Sequence, residues 1–387
     1  MEKFIYDLSV LLAGAAILSF VAIRLKQPII IAYIVCGVVV GPWGLGLVKN
    51  IEFIETISHL GVTLLLFLAG LCLHPQHLIK LFRKTSLITL INCCVSFVLA
   101  FGFAKLMHFG LSDSVIIGIA LMFSSTILAV KLLPTTKLHQ GKMGAVCISI
   151  LIAEDIIAVF ALAFLKTMDA PGAMGINFLI LIFKLVVLVG ILFLIERFVI
   201  QRILLSVDRW QEAIFILGLA WCFGIASISH KMGLYFETGA FFAGVVLARH
   251  PISRFISEEL KPIRDFFLVL FFFVLGVEAD FFVMRGIFLP GMLLAILFIV
   301  AKPWLFQKLL VWNGETTAFG REAGIRLGQL SEFSLLIGLL AYELGHITPR
   351  AFQFIELVTI ITFVVSSYVV IYKYPTPIGT TDKFIKD

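Results

Sequence analysis

The chain has 387 residues, of which 61% are hydrophobic and 14% charged, and its mean hydropathy is +1.09. Soluble domains are about 45–50% apolar and about 25% charged, so the composition excludes an ordinary soluble fold and indicates a lipid environment. The formal net charge of +6 comes largely from basic residues in short loops between apolar runs, which favours a topological role for them over nucleic-acid binding.

In chain order, the apolar runs predict an all-α polytopic membrane protein with about 13 transmembrane helices. They cover residues 4–24, 28–48, 58–74, 86–108, 113–131, 142–166, 177–198, 210–230, 235–249, 266–284, 287–311, 321–345 and 349–373. A helical crossing needs about 20 residues, so the short runs 58–74 and 235–249 are expected to be tilted or partly broken. No cysteine pair has CxxC spacing, and neither disulfides nor a resident metal site is expected.

Basic residues predict the orientation of the chain. An odd number of crossings places the termini on opposite sides, and twenty of the 30 Lys and Arg residues fall on the C-terminal side against seven on the other. The remaining three lie inside predicted spans. The positive-inside rule then predicts a multi-pass protein of the inner (plasma) membrane with its N-terminus outside and its C-terminus in the cytoplasm.

Two stretches recur at a nearly constant offset. Residues 36–40 (CGVVV) resemble 243–247 (AGVVL), residues 64–70 (LLLFLAG) resemble 270–276 (LFFFVLG), and Ser125 aligns with Ser331. The copies begin an odd number of crossings apart and therefore run in opposite directions, as in many secondary transporters. The predicted organisation is an extra first helix (1–27), a first inverted five-helix repeat (28–166), linking helices (167–234), a second repeat (235–373) and a cytoplasmic tail (374–387).

Ionisable residues in the middle of spans mark the candidate site, because each costs about 2.5–3.5 kcal/mol on insertion scales. Glu154 and Asp155 lie at the centre of the run 142–166. Two adjacent carboxylates in apolar surroundings resist joint ionisation, so at least one is expected to exchange H⁺ for a metal cation. A structural ion pair between helices is the alternative interpretation.

Further polar groups are expected at the same depth. Lys302 is predicted to neutralise a carboxylate or to couple proton and cation binding. Ser124, Ser125 and Thr126, and the repeat-related residues 328–332 (GQLSE), fit interrupted helices whose free carbonyls and hydroxyls bind a dehydrated cation. Hydrogen bonding between helices is the alternative for these polar runs. Glu332 is expected to balance either Lys302 or Arg326.

Several motifs together are typical of one family. They are GPWGL (41–45), LGVTLLLFLAGL (60–71), SST (124–126), ED (154–155), TGAFFAGVVLA (238–248), FFFVLGVE (271–278) and SEFS (331–334). In this combination the chain resembles the membrane domain of Kef-type potassium/proton antiporters, within the monovalent cation:proton antiporters of the sodium/hydrogen exchanger type. The resemblance covers essentially the whole chain.

The resemblance implies a homodimer with a dimerisation domain, a core domain of crossed broken helices, and elevator-like alternating access. Asp155 matches the essential carboxylate of the family, Thr126 a cation-site residue, and Lys302 the lysine of related antiporters. Glu154 departs from the pattern, since Kef proteins usually have Gln there and electrogenic relatives have Asp. Their nucleotide-binding regulatory domain is not expected in this chain, which leaves a separate or truncated cytoplasmic domain open.

The sequence therefore predicts a secondary active antiporter that exchanges K⁺ or Na⁺ for H⁺. No cofactor and no enzymatic activity are expected, because the sequence has no phosphate loop, dinucleotide fingerprint or nucleophile elbow. A gated cation channel and a cation-coupled solute symporter with the same inverted repeats are the alternatives.

Overall fold

The computed structural model describes residues 2–25, 27–42, 44–48, 51–71, 75–133, 142–165, 168, 174–200, 202, 211–250 and 252–376. The described helices are α1 (Glu2–Arg24), α2 (Ile29–Val40), α3 (Ile51–Leu71), α4 (Pro75–Leu106), α5 (Leu111–Ala120), α6 (Thr126–Leu132), α7 (Lys142–Leu165), α8 (Met174–Ile195, continued by a π-helical turn Glu196–Ile200), α9 (Gln211–Lys231), α10 (Phe236–Leu247), α11 (Ser253–Glu278), α12 (Phe281–Trp312), α13 (Thr317–Arg326), α14 (Glu332–Glu343) and α15 (Pro349–Lys373). Most of the predicted tail, residues 377–387, lies outside the described residues.

Long apolar helices dominate the described part of the chain. Seven of them are long and apolar enough to cross a membrane: Ile5–Arg24, Thr85–Leu106, Lys142–Leu165, Leu179–Phe198, Glu212–Lys231, Phe282–Trp312 and Pro349–Lys373. Four further apolar helices are shorter: Ile29–Val40, Thr56–Leu71, Leu111–Ala120 and Phe236–Leu247. The predicted all-α membrane architecture is confirmed, while the number of 13 crossings stays a prediction.

Two predicted spans are interrupted in the middle. The first breaks between α5 and α6, and the second between α13 and α14. Each downstream helix restarts at a hydroxyl: Ser125 Oγ accepts from Leu128 N at 3.1 Å, and Ser331 Oγ accepts from Phe333 N at 3.1 Å. Ser and Thr satisfy the free amides of a helix N-terminus, which explains why both breaks fall in hydroxyl-rich sequence.

The chain divides into two compact units, and the first comprises Met1–Lys49, Ile79–Asp155 and Leu275–Asp387. In this unit α12 packs against α13 and α15. One part of its core consists of Ile88, Ala129, Leu133, Met143, Val146, Cys147, Ile150, Leu151, Phe306, Leu310, Ala323 and Leu327. The end of α11 lies directly on α2, because a side chain at Gly276 would overlap the carbonyl of Ile34 and crowd the amide of Val38.

The second unit comprises Asn50–Leu78 and Ile156–Val274. Here α10 packs against both α3 and α9, and Trp221 Nε1 donates to the Ala243 carbonyl at 3.0 Å. A side chain at Gly70 of α3 would overlap the carbonyl of Phe241 and crowd the amide of Val245. Phe241 and Val245 stand at the same offset from Ile34 and Val38 as the recurring sequence stretches. The two glycine contacts are therefore equivalent in the two predicted repeats.

Candidate ion-binding site

Asp155 lies on α7 opposite the first helix interruption, within the first unit. Its side chain is 5% exposed. Thr126, the first residue of α6, places its hydroxyl 3.2 Å from each of the two carboxylate oxygens. The Glu332 carboxylate lies close enough to Asp155 to interact with it electrostatically. Asp155 therefore combines a hydroxyl ligand with a second acidic group, which is a setting that attracts a cation or a proton.

Glu154 has a different environment although it is the adjacent residue. Successive side chains on a helix point about 100° apart, so the two carboxylates face different neighbours. Glu154 accepts from the Ser124 amide at 2.6 Å and from Asn92 Nδ2 at 2.9 Å. Both of its oxygens are thus engaged by donors that belong to the protein.

Lys302 closes the polar cluster from α12. Its ammonium donates to the carbonyls of Phe123 at 2.8 Å and Met122 at 3.4 Å, and to Ser124 Oγ at 3.1 Å. These carbonyls follow the C-terminus of α5, where the helix dipole favours a positive charge. Ser124 joins the two charges, since its amide donates to Glu154 and its hydroxyl accepts from Lys302. Lys302 therefore compensates Glu154 through Ser124 and not through a direct ion pair.

The second interruption lies against the first. Gln329 Nε2 donates to the Ser125 carbonyl at 3.4 Å, and the Ile127 amide donates to Glu332 Oε1 at 3.3 Å. Glu332 is in the first turn of α14, so its carboxylate receives the partial positive charge of two helix starts, those of α6 and α14. The predicted pairing of the two broken helices is thus present at the level of side chains.

Arg326 stands apart from the carboxylates. It donates to the Leu132 carbonyl at the end of α6 at 2.8 Å and forms an ion pair with Glu322 at 2.9 Å. Its guanidinium also stacks over the Tyr374 ring. Arg326 therefore binds the C-terminal end of α6, while Lys302 binds the corresponding end of α5. Both basic side chains thus lie at helix C-termini, and the role of Arg326 in charge compensation or coupling stays a prediction.

The structure specifies the contacts that Ser125 and Asn92 make at the site. Ser125 Oγ caps α6, so the group that this residue offers at the break is its carbonyl, which accepts from Gln329. Asn92 of α4 lies beside the site and donates to Glu154. Its signal is periodic: Thr85, Thr89, Asn92 and Ser96 recur on one face of α4 and are all buried.

A helical membrane bundle in which buried carboxylates meet two interrupted helices defines a secondary transporter rather than an enzyme. The sequence matches the family described as "Sodium/hydrogen exchanger, transmembrane" over residues 8–371, and the chain belongs to this family. The resemblance predicted from the motifs is thereby confirmed, as are the class of activity, cation:proton antiport, and the assignment as a non-enzyme.

Curated relatives and a solved structure agree with this assignment. The chain is 29% identical to the "Iron transporter MagA" of Paramagnetospirillum magneticum, with 92% of this chain and 84% of the relative covered. It is 30% identical to the "Glutathione-regulated potassium-efflux system protein KefC" of Cronobacter sakazakii over 84% of this chain. This match covers 53% of that KefC protein, so the chain spans about half the length of its KefC relatives.

The fold is that of a sodium/proton antiporter. The structure of the sodium proton antiporter MjNhaP1 from Methanocaldococcus jannaschii superposes with a TM-score of 0.71 and covers 96% of each chain. Sequence identity in this comparison is 14%, so the likeness concerns the fold alone.

Proposed function

We propose that the protein exchanges K⁺ or Na⁺ for H⁺ by alternating access, and that Asp155 binds the cation and the proton in turn. The observation that carries this proposal is that two adjacent carboxylates have different hydrogen-bond partners. Glu154 is held by Asn92 and by Ser124, which also contacts Lys302. Among the described residues, Asp155 accepts a hydrogen bond from the Thr126 hydroxyl, and the Glu332 carboxylate lies nearby.

Cation binding at Asp155 follows from the chemistry of the surrounding groups. The available ligands are oxygens: the Asp155 carboxylate, the Thr126 hydroxyl and the carbonyls freed by the helix breaks. Hard oxygen ligands suit alkali cations, and unwound backbone at mid-membrane depth is the usual way in which transporters coordinate them. Protonation of Asp155 removes the main negative ligand, so proton and cation compete for one group.

The relatives support the two candidate cations. KefC is named as a potassium-efflux system protein, and MjNhaP1 is named as a sodium proton antiporter. MagA is named as an iron transporter, so Fe²⁺ belongs in the test as a third cation.

A proteoliposome assay with a pH-sensitive dye tests the proposal. We expect K⁺ or Na⁺ to evoke proton movement in the wild type and Asp155→Asn to abolish it. Removing one partner of a buried charged interaction costs about 3–5 kcal/mol, which corresponds to roughly a hundredfold or more in affinity. The matched control is Glu258→Gln, which neutralises an exposed carboxylate on α11 and should leave exchange unchanged.

Full activity of Asp155→Asn, or a wild type that responds to neither K⁺ nor Na⁺, would contradict the mechanism. Steady single-channel currents in planar bilayers would instead indicate a gated cation channel. Stabilisation by an organic solute in a thermal-shift screen, together with solute-driven cation uptake, would indicate a symporter.

We further propose that the protein lies in the inner (plasma) membrane with its C-terminus in the cytoplasm. The asymmetric distribution of Lys and Arg supports this orientation. A C-terminal GFP fusion that inserts into the membrane but stays dark would contradict it. The family resemblance also supports a homodimer, which native mass spectrometry of the detergent-solubilised protein can test; a mass of one chain would refute it.

A cytoplasmic regulatory domain, separate or joined to a longer form of the chain, is a further part of this proposal. Its support is that the KefC match covers only about half of that relative. Affinity purification of the full-length native protein from its own cells, followed by intact-mass analysis, tests this. A native chain of 387 residues that co-purifies with no second protein would contradict it.

A further inference from the structure

Glu356 is a buried carboxylate that the Asp155 site does not use. It lies on α15, is 0% exposed, and neither of its carboxylate oxygens has a hydrogen-bond partner among the described residues. An ionised carboxylate without a partner in a low-dielectric interior is too costly to persist, and such a group is neutralised by a proton instead. Glu356 therefore needs a ligand, and the smallest ligand that satisfies it is H⁺.

A second carboxylate lies beside it. Glu278, the last residue of α11, interacts electrostatically with Glu356. Gln353, nearly one turn before Glu356 on α15, fixes this arrangement: its Nε2 donates to the Glu278 carbonyl at 3.0 Å, and its Oε1 accepts from the Asp280 amide at 2.9 Å. The pair is thus held by a built connection between α15 and the turn that joins α11 to α12.

Among the described residues, the charged group that acts on Glu356 is the Glu278 carboxylate, and no basic group offsets the charge of Glu356. Other charged groups of α15 and the helices packed against it are bound or exposed elsewhere: Asp113 with Thr348, Glu332 with Ile127, Lys302 with Phe123, Arg326 with Leu132 and Glu322, Arg350 over the Phe109 ring, Asp280 at the start of α12, and Arg285, Lys308, Arg321, Glu343 and Lys373 at exposed positions. A buried carboxylate that lies beside a second carboxylate binds a proton more readily than it does alone.

We propose that Glu278 and Glu356 form a second proton-binding site, distinct from Asp155, which delivers protons toward the second helix interruption. The proposal rests on the proposed exchange for the use of the proton, while the binding of the proton itself stands on the Glu356 geometry.

Buried hydroxyls line α15 between this site and the interruption, although the Thr359 hydroxyl itself donates to the Ile355 carbonyl at 2.8 Å. Thr359 and Thr362 follow Glu356 at intervals of three residues, which is about 4.5 Å of helix rise per step. Thr362 Oγ1 donates to the Thr359 carbonyl at 2.9 Å and accepts from the Leu330 amide at 3.2 Å. Leu330 lies between α13 and α14, so the row of polar groups ends at the break beside Glu332.

Infrared difference spectroscopy of the full-length protein in lipid tests proton binding without requiring transport. A pH step from neutral to strongly alkaline should remove a protonated-carboxyl stretch in the wild type. We expect this band to be missing in Glu356→Gln, a near-isosteric neutral change, and to be shifted but present in Glu278→Gln. Glu343→Gln, which removes an exposed carboxylate at the end of α14, should have the wild-type spectrum.

Transient currents after a proton jump on a solid-supported membrane test delivery, because proton binding displaces charge even when the complete exchange cycle moves none. A positioned acid typically speeds proton transfer by about 10²–10⁴-fold, so Glu356→Gln should slow proton-triggered currents at least about tenfold and leave cation-triggered currents unchanged. Thr359→Val should slow the same phase. A Glu356→Gln variant with the wild-type band and the wild-type proton-triggered rate would overturn the proposal.

The two proposals fail separately in these measurements. A wild type with the Glu356 band but without cation-evoked exchange would refute the proposed function and leave the proton site intact. Exchange that depends on Asp155, together with a spectrum that Glu356→Gln does not change, would refute the second site alone.

Discussion

At the scale of single residues, the carboxylates of Glu154 and Asp155 are adjacent in sequence but lie in different environments. Glu154 receives two hydrogen bonds, and Lys302 acts on it through Ser124. Asp155 receives one hydroxyl and faces another acid. A buried charge that is satisfied by fixed partners does not need to change its ligand, whereas one with an acidic neighbour does. We therefore expect Glu154 and Lys302 to keep their partners through the cycle, while Asp155 changes its ligand.

This division predicts coupled effects on stability. Lys302→Met should lower the free energy of unfolding by about 3–5 kcal/mol, because it leaves Glu154 as an uncompensated buried charge and removes the donor to the Phe123 carbonyl. Adding Glu154→Gln should restore part of the loss, since the amide carries no charge. Thermal unfolding followed by tryptophan fluorescence in detergent measures all four forms of the cycle.

Strictly additive losses in the double variant would contradict this pairing. The control is Lys308→Met on the same helix, an exposed lysine whose loss should change the midpoint of unfolding very little.

At the scale of helices, close backbone contacts determine how elements pack. Gly276 and Gly70 each allow a neighbouring carbonyl to approach where a side chain would overlap it. Small residues at such contacts are the usual means by which membrane helices come close together. The two contacts occupy equivalent positions in the sequence copies, so they should respond alike to substitution.

Gly276→Leu and Gly70→Leu should each destabilise the protein by several kcal/mol or prevent its insertion, because backbone atoms of Ile34 or Phe241 cannot move aside without displacing a helix. Gly190→Leu and Gly102→Leu are the matched controls, since nothing lies within 4 Å of a side chain added there. Expression of GFP-tagged variants and their unfolding temperatures provide the measurement. Equal stability of Gly276→Leu and Gly102→Leu would show that the close contact is absent.

Much of this helical architecture could be predicted from the sequence, because hydropathy reports burial in lipid directly. The breaks near Ser125 and Ser331 could also be predicted, since hydroxyls compete for backbone hydrogen bonds and cap helices locally. Helix ends were harder: α4 begins at Pro75, well before the predicted start at residue 86. A helix continues into polar surroundings, where a hydropathy signal stops.

For the candidate site, the sequence predicted which residues take part but not which of them contact one another. The sequence predicted that Lys302, Glu154 and Asp155 lie at the same depth in the membrane. It did not indicate which carboxylate the lysine compensates. That choice depends on Ser124, whose backbone and side chain contact both Glu154 and Lys302. Such a bridge forms only when α4, α7 and α12 surround the break after α5, and no pattern along one helix encodes it. Glu356, by contrast, is an ionisable residue within the apolar run 349–373, so the insertion-cost criterion applies to it as well. Only the structure shows that its carboxylate has no hydrogen-bond partner among the described residues.

At the scale of the whole molecule, the fixed charges of the site bear on the charge moved per cycle. The net charge of a buried pair that stays together, Glu154 with Lys302, is the same whether the site holds a proton or a cation. If Asp155 alone changes its ligand, one H⁺ leaves for each monovalent cation that enters. A 1:1 exchange of this kind moves no net charge and does not respond to the membrane potential, which otherwise contributes about 2.3 kcal/mol per charge at 100 mV.

We therefore expect electroneutral exchange. Proteoliposomes should show cation-evoked pH changes whose rate is unaltered by an imposed membrane potential, and the same protein on a solid-supported membrane should give no sustained current. Recording the dye response and the current on one preparation distinguishes electroneutral transport from a lack of transport. Liposomes with Asp155→Asn provide the inactive baseline. A current of one charge per turnover would mean that a second carboxylate releases a proton in each cycle. Glu154, Glu332 and Glu356 would then be the groups to substitute, and the residue whose neutral variant removes the current without removing exchange would carry that proton.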